Sequence, residues 1–276
     1  MFFKKFEIIK YALVRFFESS PHLNLLIYNN IRFFKFLLPH EKDFYGMLLI
    51  CKNKKNLAIL DIGANLGISI LGFRQLGFIN KIYAFEPNYH LYKNFLLKLK
   101  KKDKNLFVKN IALGDKNISK FFFMPFYKSK IIHYFCSFDK NYINRSIKMT
   151  FPKIFHKFYL KKKIIICKRF DSLNLKIKPH FIKIDTEGFD EFVLEGLKKT
   201  IKRFKPNFLI EYNKEYFSKV SKMLKDYDKY IYDIQTNKMI KLNPKLIKFN
   251  VARTSTNNPL SIRNIFFVHK KNNLLC

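Results

Sequence analysis

The sequence contains no tryptophan, four cysteines and few acids, with 20 Asp and Glu against 54 Lys and Arg in 276 residues. The cysteines, Cys51, Cys136, Cys167 and Cys276, lie far apart without a C-x-x-C pair, and no histidine lies at metal-ligand spacing. A disulfide framework or a structural zinc site is therefore not expected, and the pattern suits a reducing cytoplasm. No stretch reaches the about 18 uncharged apolar residues of a membrane-spanning helix. The N-terminus carries scattered charges and no small-residue cleavage site, so we do not expect a secretory signal.

Lysine is what the sequence has in excess, and it accounts for most of the formal net charge of +34. Together with abundant Phe, Ile, Asn and Tyr, it is typical of translation from an AT-rich genome. Lysine spread over a surface provides solubility and a general attraction to anions. Phosphate and base recognition depends more on arginine and on clustered basic stripes. Nucleic acid is therefore not the expected partner.

The chain divides into two predicted parts, an N-terminal helical extension (1–50) and one α/β domain (51–276). Within the extension, residues 2–18 carry apolar side chains at helical spacing with lysines between them. Such a face most often packs on the core of its own protein. Contact of residues 2–38 with the inner face of a membrane is the alternative.

From residue 57 onward, short apolar runs alternate with helical patterns. Strands are predicted at 57–62, 81–86, 105–113, 180–185, 207–212, 228–234 and 262–269, and helices at 66–76, 88–101, 188–202 and 213–226. This alternation predicts a doubly wound, mostly parallel α/β sheet of seven strands. Residues 118–170 interrupt it as an irregular, β-rich insert, which we expect to contact the substrate.

Acids follow five successive predicted strands. They are Asp61, Glu86, Asp115, the pair Asp185 and Glu187, and Glu211. Ligands of open α/β sheets bind in the crevice outside the carboxyl ends of the strands. We therefore expect a locally negative cleft, suited to a ligand that is cationic, rich in hydroxyls, or both.

The loop 61-DIGANLG-67 follows the first strand and opens a helix. Gly63 permits a tight turn, Gly67 is expected to let the helix pack against the strand, and helix N-terminal amides can hold an anionic group. Glu86 ends the next strand and is placed to bind ribose hydroxyls. Asp61 is a candidate ligand contact or a residue that orients the loop, and Asn65 a candidate contact or a helix cap.

The form of this loop separates two classes of enzyme. Dinucleotide enzymes need G-x-G-x-x-G to accommodate a pyrophosphate, and this chain has D-x-G-x-N-x-G instead, which disfavours a dehydrogenase. The loop resembles the S-adenosylmethionine loop of class I methyltransferases. The positive charge of the sulfonium agrees with a cleft lined by acids.

A wider set of segments is similar to the FkbM family of S-adenosylmethionine-dependent methyltransferases. The segments are 60-LDIGANLGI-68, 83-YAFEPN-88, 110-NIALGD-115, 170-FDSL-173, 182-IKIDTEGFDEFVLEG-196 and 205-KPNFLIEYN-213. The K-I-D-x-E-G block is the most specific element, and the resemblance covers about residues 40–270. It implies a Rossmann-like class I methyltransferase fold and O-methylation of hydroxyls on sugars, polysaccharides or polyketide-like metabolites. Asn110, Ala112 and Asp185 join the expected cofactor-binding residues.

Methyl transfer to an alcohol requires removal of a proton, and carboxylates at the methyl end of the cleft are the candidate bases. They are Asp185 first, then Glu187 and Glu211. A divalent ion on Asp185 and Glu187 is another route, but two acids form an incomplete site, so no metal is expected. For Glu187 the alternative role is to complement the dipole of the following helix.

Other polar residues have plainer interpretations. The acids Asp190, Glu191 and Glu195 are expected on a solvated helix face. His133 in the insert is a candidate base, but a surface or packing role is expected.

The predicted protein is a cytoplasmic S-adenosylmethionine-dependent O-methyltransferase. Its expected acceptor is a small molecule or glycan, with the methyl group placed on a sugar hydroxyl of a surface glycan, glycolipid or related metabolite. One alternative is an RNA methyltransferase that uses the basic surface. Another is a non-catalytic module that binds a nucleoside, or a membrane-associated partner through residues 2–38. The sequence leaves the oligomeric state open.

Overall fold

The computed structural model describes residues 42–51, 57–213, 215–234, 236–242 and 264–272. The apolar stripe predicted in residues 2–18 and the possible membrane contact through residues 2–38 both lie outside these ranges. Of the predicted extension, the described part forms a 3-10 turn (Lys42–Tyr45) and the short helix α1 (Gly46–Ile50), which bury Phe44 and Met47 against the main sheet. The proposed boundary at residue 50 stays a prediction.

Strands and helices alternate from residue 58. The strands are β1 (Ala58–Ile62), β2 (Lys81–Phe85), β3 (Leu106–Lys109), β4 (Ala112–Leu113), β5 (Ile118–Tyr127), β6 (Lys130–Ile131), β7 (Phe158–Lys168), β8 (Phe181–Ile184), β9 (Asn207–Glu211), β10 (Tyr227–Asp233), β11 (Lys238–Lys241) and β12 (Asn264–His269). The other helices are α2 (Ile68–Gln75), α3 (Tyr89–Leu91), α4 (Leu97–Lys102), α5 (Lys140–Thr150), α6 (Asp190–Gly196), α7 (Lys198–Phe204) and α8 (Phe217–Met223). A π-helical segment (Tyr92–Leu96) joins α3 to α4. None of the helices in the described ranges is long and apolar enough to span a bilayer.

The main sheet has the strand order β11-β10-β12-β9-β8-β1-β2-β3. The five strands from β9 to β3 are parallel to their neighbours, and β12, β10 and β11 add to them in antiparallel pairings. The α/β class is confirmed, whereas the expected count of seven strands is wrong. The eighth strand, β11, escaped prediction because K-M-I-K is short and mostly exposed.

The two faces of the main sheet are covered by different elements. Ile59, Phe181 and Phe266 belong to one core cluster, which α1 and α2 cover. The alternate residues, such as Leu60 and Phe208, belong to the other, which α6, α8 and part of the insert cover. Parallel strands covered on both faces read as continuous apolar runs, which is why they were recognisable in the sequence.

The strand order reverses between β1 and β8. From β1 the chain builds outward to β2 and β3, and then returns to place β8 on the other side of β1. In open α/β sheets the ligand crevice opens at such a reversal, outside the carboxyl ends of the strands. The loops after β1, β2 and β8 therefore frame the expected binding position.

The insert is more regular than expected. Its strands β5 and β7 pair antiparallel over ten residues each, in a second sheet of order β4-β7-β5-β6. Helix α5 lies between them along the chain and buries Ile143 and Ile147 in a small separate cluster. The strand predicted at 105–113 is two strands, because β3 stays in the main sheet and β4 pairs with β7.

Candidate functional site

The turn after β1 requires glycine. Gly63 has a φ of +82°, and a Cβ built on it would lie 1.9 Å from the carbonyl oxygen of Asp185. The N–H groups of Gly63 and Ala64 both donate to the carbonyl oxygen of Phe85, at 3.0 and 3.1 Å. The turn is therefore held between the ends of β8 and β2 by backbone alone, as a tight turn with no room for a side chain.

Gly67 has a packing role that differs from the expected one. It precedes α2 with a φ of +78°, and a Cβ there would lie 2.4 Å from Leu99 Cδ1. The glycine thus lets α2 approach the helix that follows β2, and the expected contact with a strand is wrong. Gly67 does not line the cleft described below.

Glu86 is buried and held by two backbone donors. The N–H of Asn65 donates to its Oε2 and the N–H of Asn88 to its Oε1, each at 2.8 Å. The side chain is only 5% exposed. Burial raises the pKa of the Glu86 carboxyl to about 7, against the lowering effect of the two donors, and Asp61 and Asp185 add repulsion.

Asn65 does not cap α2, since Gly67 occupies the cap position and no side chain bonds there. Its Oδ1 atom is buried and has no hydrogen-bond partner within the described part of the chain.

Asn110 holds the neighbouring loop instead of facing the cleft: its Nδ2 donates to the carbonyl oxygens of Glu86 and Pro87, at 2.8 and 3.0 Å. Ala112, in β4, does line the cleft.

A buried lysine connects two of the predicted acids. Lys183 Nζ lies 3.0 Å from Asp185 Oδ2 and 3.8 Å from Asp61 Oδ1. Asp61 is fully buried and also accepts a hydrogen bond from Ser69 Oγ at 2.5 Å. Burial raises the pKa of the Asp61 carboxyl, while Lys183 and Ser69 oppose that shift. Asp61 therefore orients the start of α2 from behind the cleft, and it is not among the cleft-lining residues.

Three carboxylates converge beside β8 and β9. Asp185, Glu187 and Glu211 each offer an oxygen, and these oxygens lie within 4.8 Å of one another. Three negative charges at this spacing repel one another, and a proton or a cation between them relieves the repulsion. The structure thus brings together all three candidate bases, and Glu211 adds a third acid to the pair considered for a divalent ion.

Glu187 is positioned by the insert. Tyr142 Oη donates to Glu187 Oε2 at 2.8 Å, and Ser137 Oγ donates to its backbone carbonyl at 2.7 Å. Its φ is +51°, and the next residue, Gly188, is in contact distance of the Tyr142 ring. These contacts fix the side chain toward the cleft, which a residue that only complements a helix dipole would not require.

Asp190 is buried, so its predicted position on a solvated helix face is wrong. It is 4% exposed, and its Oδ1 accepts hydrogen bonds from Thr186 N at 3.0 Å and from Thr186 Oγ1 at 2.5 Å. Burial raises the pKa of this carboxyl to about 6. Glu191 and Glu195 do form surface ion pairs, with Lys219 and Lys198. Asp190 stabilises the loop that carries Asp185 and Glu187.

The cleft has two walls, and its space of about 540 Å³ includes open solvent. The main-sheet wall includes Gly63, Asn65, Glu86, Asp185 and Glu187, and the insert wall includes Phe122, His133, Cys136 and Phe138. Glu211 lines an adjoining depression. Asp115 reaches neither, because it follows β4 in the second sheet and not β3.

His133 is buried in the insert wall. Its Nδ1 lies 3.2 Å from Asn88 Nδ2, and its ring stacks on His90 with centroids 5.3 Å apart. Burial lowers the pKa of the His133 imidazole to about 4, so the ring is neutral at physiological pH. The expectation of a surface or packing role fits through packing, since the ring is buried, and a pKa this low makes the ring a weak base.

Lys183, Tyr142 and Thr186 did not appear among the predicted site residues. For Lys183 a signal was present, because the alternation in I-K-I-D places Lys183 on the same face as Asp61 of the paired strand. Tyr142 and Thr186 left no comparable signal, since their contacts depend on how the insert and the loop after β8 fold back.

Comparison with known proteins gives a family match over the part of the chain that contains the site. Residues 61–233 match the sequence model of the methyltransferase FkbM domain, which is more than half of the chain. A methyltransferase FkbM structure from Methylobacillus flagellatus KT is 14% identical, with a TM-score of 0.47, over 77% of this chain and 43% of that one. A precorrin-6y C5,15-methyltransferase structure from Geobacter metallireducens GS-15 is 11% identical, with a TM-score of 0.38, over 82% of this chain and 86% of that one. The chain thus spans less than half of the Methylobacillus protein. No curated protein matches it.

Proposed function

The chain belongs to the FkbM methyltransferase family, and from this premise we propose that it transfers a methyl group from S-adenosylmethionine to a sugar hydroxyl. One observation carries the proposal: Gly63, Glu86 and Asp185, which follow three different strands, surround one cleft beside the reversal of strand order. A class I methyltransferase fold, with the cofactor at this reversal, agrees with that placement.

The residues of the cleft fit the cofactor. Glu86 presents a buried carboxylate and Asn65 a buried Oδ1 without a partner in the described ranges, and both are acceptors that suit ribose hydroxyls or an ammonium group. Gly63 leaves room for close approach to the backbone. When bound, S-adenosylmethionine supplies an electrophilic methyl group on a positively charged sulfonium. Glu86 and Asn65 would hold its polar groups, and Asp185 would lie near the charge.

One of the three carboxylates next to the cofactor position would remove the proton from the acceptor hydroxyl. We assign the base to Asp185 first, with Glu187 and Glu211 beside it. A sugar hydroxyl is much less acidic than a carboxylic acid, so the proton moves late, as the new carbon–oxygen bond forms. Lys183 orients Asp185, and Tyr142 orients Glu187.

We propose that this chemistry needs no divalent metal. Asp185 Oδ2 already bonds Lys183, and Glu187 Oε2 already bonds Tyr142, so the protein occupies one oxygen of each. Turnover measured with and without a chelator tests this point. Activity that disappears with the chelator and returns with Mg²⁺ would assign the three carboxylates to a metal instead.

An uncharged, hydroxyl-rich acceptor suits the remaining cleft surface. Phe122 and Phe138 offer apolar faces for a sugar ring opposite the carboxylates. Among the described residues, no lysine or arginine lines the cleft, which speaks against a phosphate backbone as the bound substrate. A small-molecule or glycan acceptor, including a glycolipid, is therefore favoured over RNA. The free, buried Cys136 and Cys167 support a cytoplasmic location.

Calorimetric titration with S-adenosylmethionine and with NAD tests the proposal. We expect the wild-type chain to bind S-adenosylmethionine and not NAD. Glu86→Ala should weaken binding at least about tenfold, because it removes a charged acceptor. Asp115→Ala is the matched control, since it removes an acid of the same predicted series outside the cleft. Tight NAD binding, or an unchanged affinity in Glu86→Ala, contradicts the assignment.

A further inference from the structure

The second sheet presents a different surface on each side. Along β5, Phe122 lines the cleft, whereas its neighbour Phe121 is 47% exposed. Successive side chains of a strand point to opposite faces, so Phe121 lies on the outer face. Directly opposite Phe121 is Ile164, 63% exposed, and two residues further along β7 is Ile166, 54% exposed. These three residues are the outer patch.

Lysines stand at both ends of the outer patch. Lys162 and Lys168 share its face of β7 because they are two residues from Ile164 and Ile166, respectively. Lys162 Nζ lies 4.4 Å from the centre of the Phe121 ring. The surrounding insert has nearly one sign of charge: residues 118–170 contain eleven lysines, two arginines and a single acid, Asp139.

We propose that the outer patch docks on an anionic lipid surface. Large apolar side chains flanked by lysines suit the boundary of a bilayer, where the apolar groups enter and the ammonium groups meet acidic headgroups. The inference rests on the proposed function, because that function gives the reason for docking. The other face of the same sheet forms a wall of the cleft, so docking would hold the cleft close to a sugar acceptor carried by a lipid.

Two plainer explanations account for part of the pattern only. Lysines along β7 discourage other strands from pairing with its edge, but this does not require exposed isoleucines on the outer face. Single-stranded RNA is bound through arginine and through stacking on aromatic rings. The outer patch is mainly aliphatic. Both arginines of the insert are engaged elsewhere, since Arg145 pairs with Glu215 and Arg169 donates to the backbone carbonyls of Asp115 and Glu195. A lipid surface is therefore the favoured partner.

Co-sedimentation of the full chain with vesicles tests the inference. We expect binding to phosphatidylcholine vesicles that contain phosphatidylglycerol, weaker binding at high salt, and little binding to pure phosphatidylcholine. The triple variant Phe121→Thr, Ile164→Thr, Ile166→Thr keeps residues that suit a strand and should weaken binding about tenfold. Lys162→Gln with Lys168→Gln should weaken it by about tenfold or more.

The matched control is Ile79→Thr with Ile240→Thr. These isoleucines are 77% and 41% exposed and lie outside the insert, so vesicle binding should not change. Melting temperature and S-adenosylmethionine affinity, measured on every variant, report whether the fold and the cofactor site are intact. If the triple variant does not fold, the lysine pair decides.

Three results would overturn the inference. One is unchanged vesicle binding by the folded variants, which would favour contact through residues 2–38. Another is equal binding to neutral and anionic vesicles. The third is binding of single-stranded RNA that the triple variant loses, without vesicle binding by the wild-type chain. Because S-adenosylmethionine binding is measured separately, failure here is distinguishable from failure of the proposed function.

Discussion

On the main-sheet wall of the cleft, Glu86 is held by two backbone N–H groups, whereas the insert reaches across with side chains, Tyr142 to Glu187 and His133 to Asn88. Backbone contacts follow from strand register and turn geometry. Side-chain contacts follow from the particular residues of a long insertion. The comparison suggests that the first wall fixes the cofactor and that the second adapts the site to its acceptor.

The largest expected effect is on the chemical step. Asp185→Asn should lower kcat about 10²–10⁴-fold with S-adenosylmethionine affinity changed much less, because a general base is lost while the shape is kept. Glu187→Gln should have a smaller effect. The measurement is single-turnover methyl transfer combined with calorimetry. If both variants retain full turnover, the base lies elsewhere and the two walls do not divide the work as described.

Gly63→Ala tests whether the turn after β1, on the main-sheet wall, is as rigid as its contacts indicate. The new Cβ would lie 1.9 Å from Asp185 O at a φ of +82°, so the turn must move, with a loss of about 3 kcal/mol of stability. We expect about 100-fold weaker S-adenosylmethionine binding by calorimetry, from a displaced turn.

Gly77→Ala is the control for that variant. Gly77 has a similar φ of +86°, but no described atom lies within 4 Å of the added Cβ. The cost should be about 1–2 kcal/mol, from the backbone conformation alone. Equal effects of the two variants on binding would show that the contact between β1 and β8 does not shape the site.

The protonation of Glu86, on the same wall, should make cofactor binding depend on pH. Its pKa of about 7 means that the acceptor carboxylate is lost as the pH falls, so affinity for S-adenosylmethionine should weaken about tenfold between pH 8 and pH 6. Glu86→Gln should remove this dependence. A wild-type affinity that stays constant over this range contradicts the assignment.

The same residue predicts how stability depends on pH. The folded pKa is raised above the usual 4.5, so the folded state retains a proton that the unfolded state releases between about pH 4.5 and 7. Stability therefore falls as pH rises through that window. Relative to Glu86→Gln, wild type should therefore lose on the order of 1–3 kcal/mol of stability between pH 4.5 and pH 8. Thermal unfolding of both proteins measures it.

The smallest expected effect concerns the insert wall. Tyr142→Phe removes the hydroxyl that bonds Glu187 and should lower kcat by about five- to tenfold, since one ordinary hydrogen bond contributes about 1 kcal/mol. S-adenosylmethionine affinity should not change. Tyr232→Phe, which removes a bond to Asn237 and lies outside both the cleft lining and the adjoining depression, is the control. A larger effect on cofactor binding than on kcat would contradict the division between the walls.

What the sequence could predict follows the same division. Gly63, Glu86 and Asp185 were predictable because each follows a strand, and parallel strands deliver such residues to one edge. The positions of Tyr142, His133 and Asp190 were not, because they depend on the folding of the insert and on which side of α6 is covered. Asp115 was misplaced for a related reason: residues 110–111 break the predicted strand, and the chain crosses to the second sheet.

Lys183 has a consequence for folding as well as for the site. Its side chain lies between Asp61 of β1 and Asp185, on one face of the central sheet. If β8 slipped by a single residue, the ammonium would turn to the opposite face, among Leu60, Ile182 and Phe208. A charge left there without a carboxylate would be costly. The ion pair therefore penalises a one-residue slip of β8 and favours the native alignment of β1 with β8.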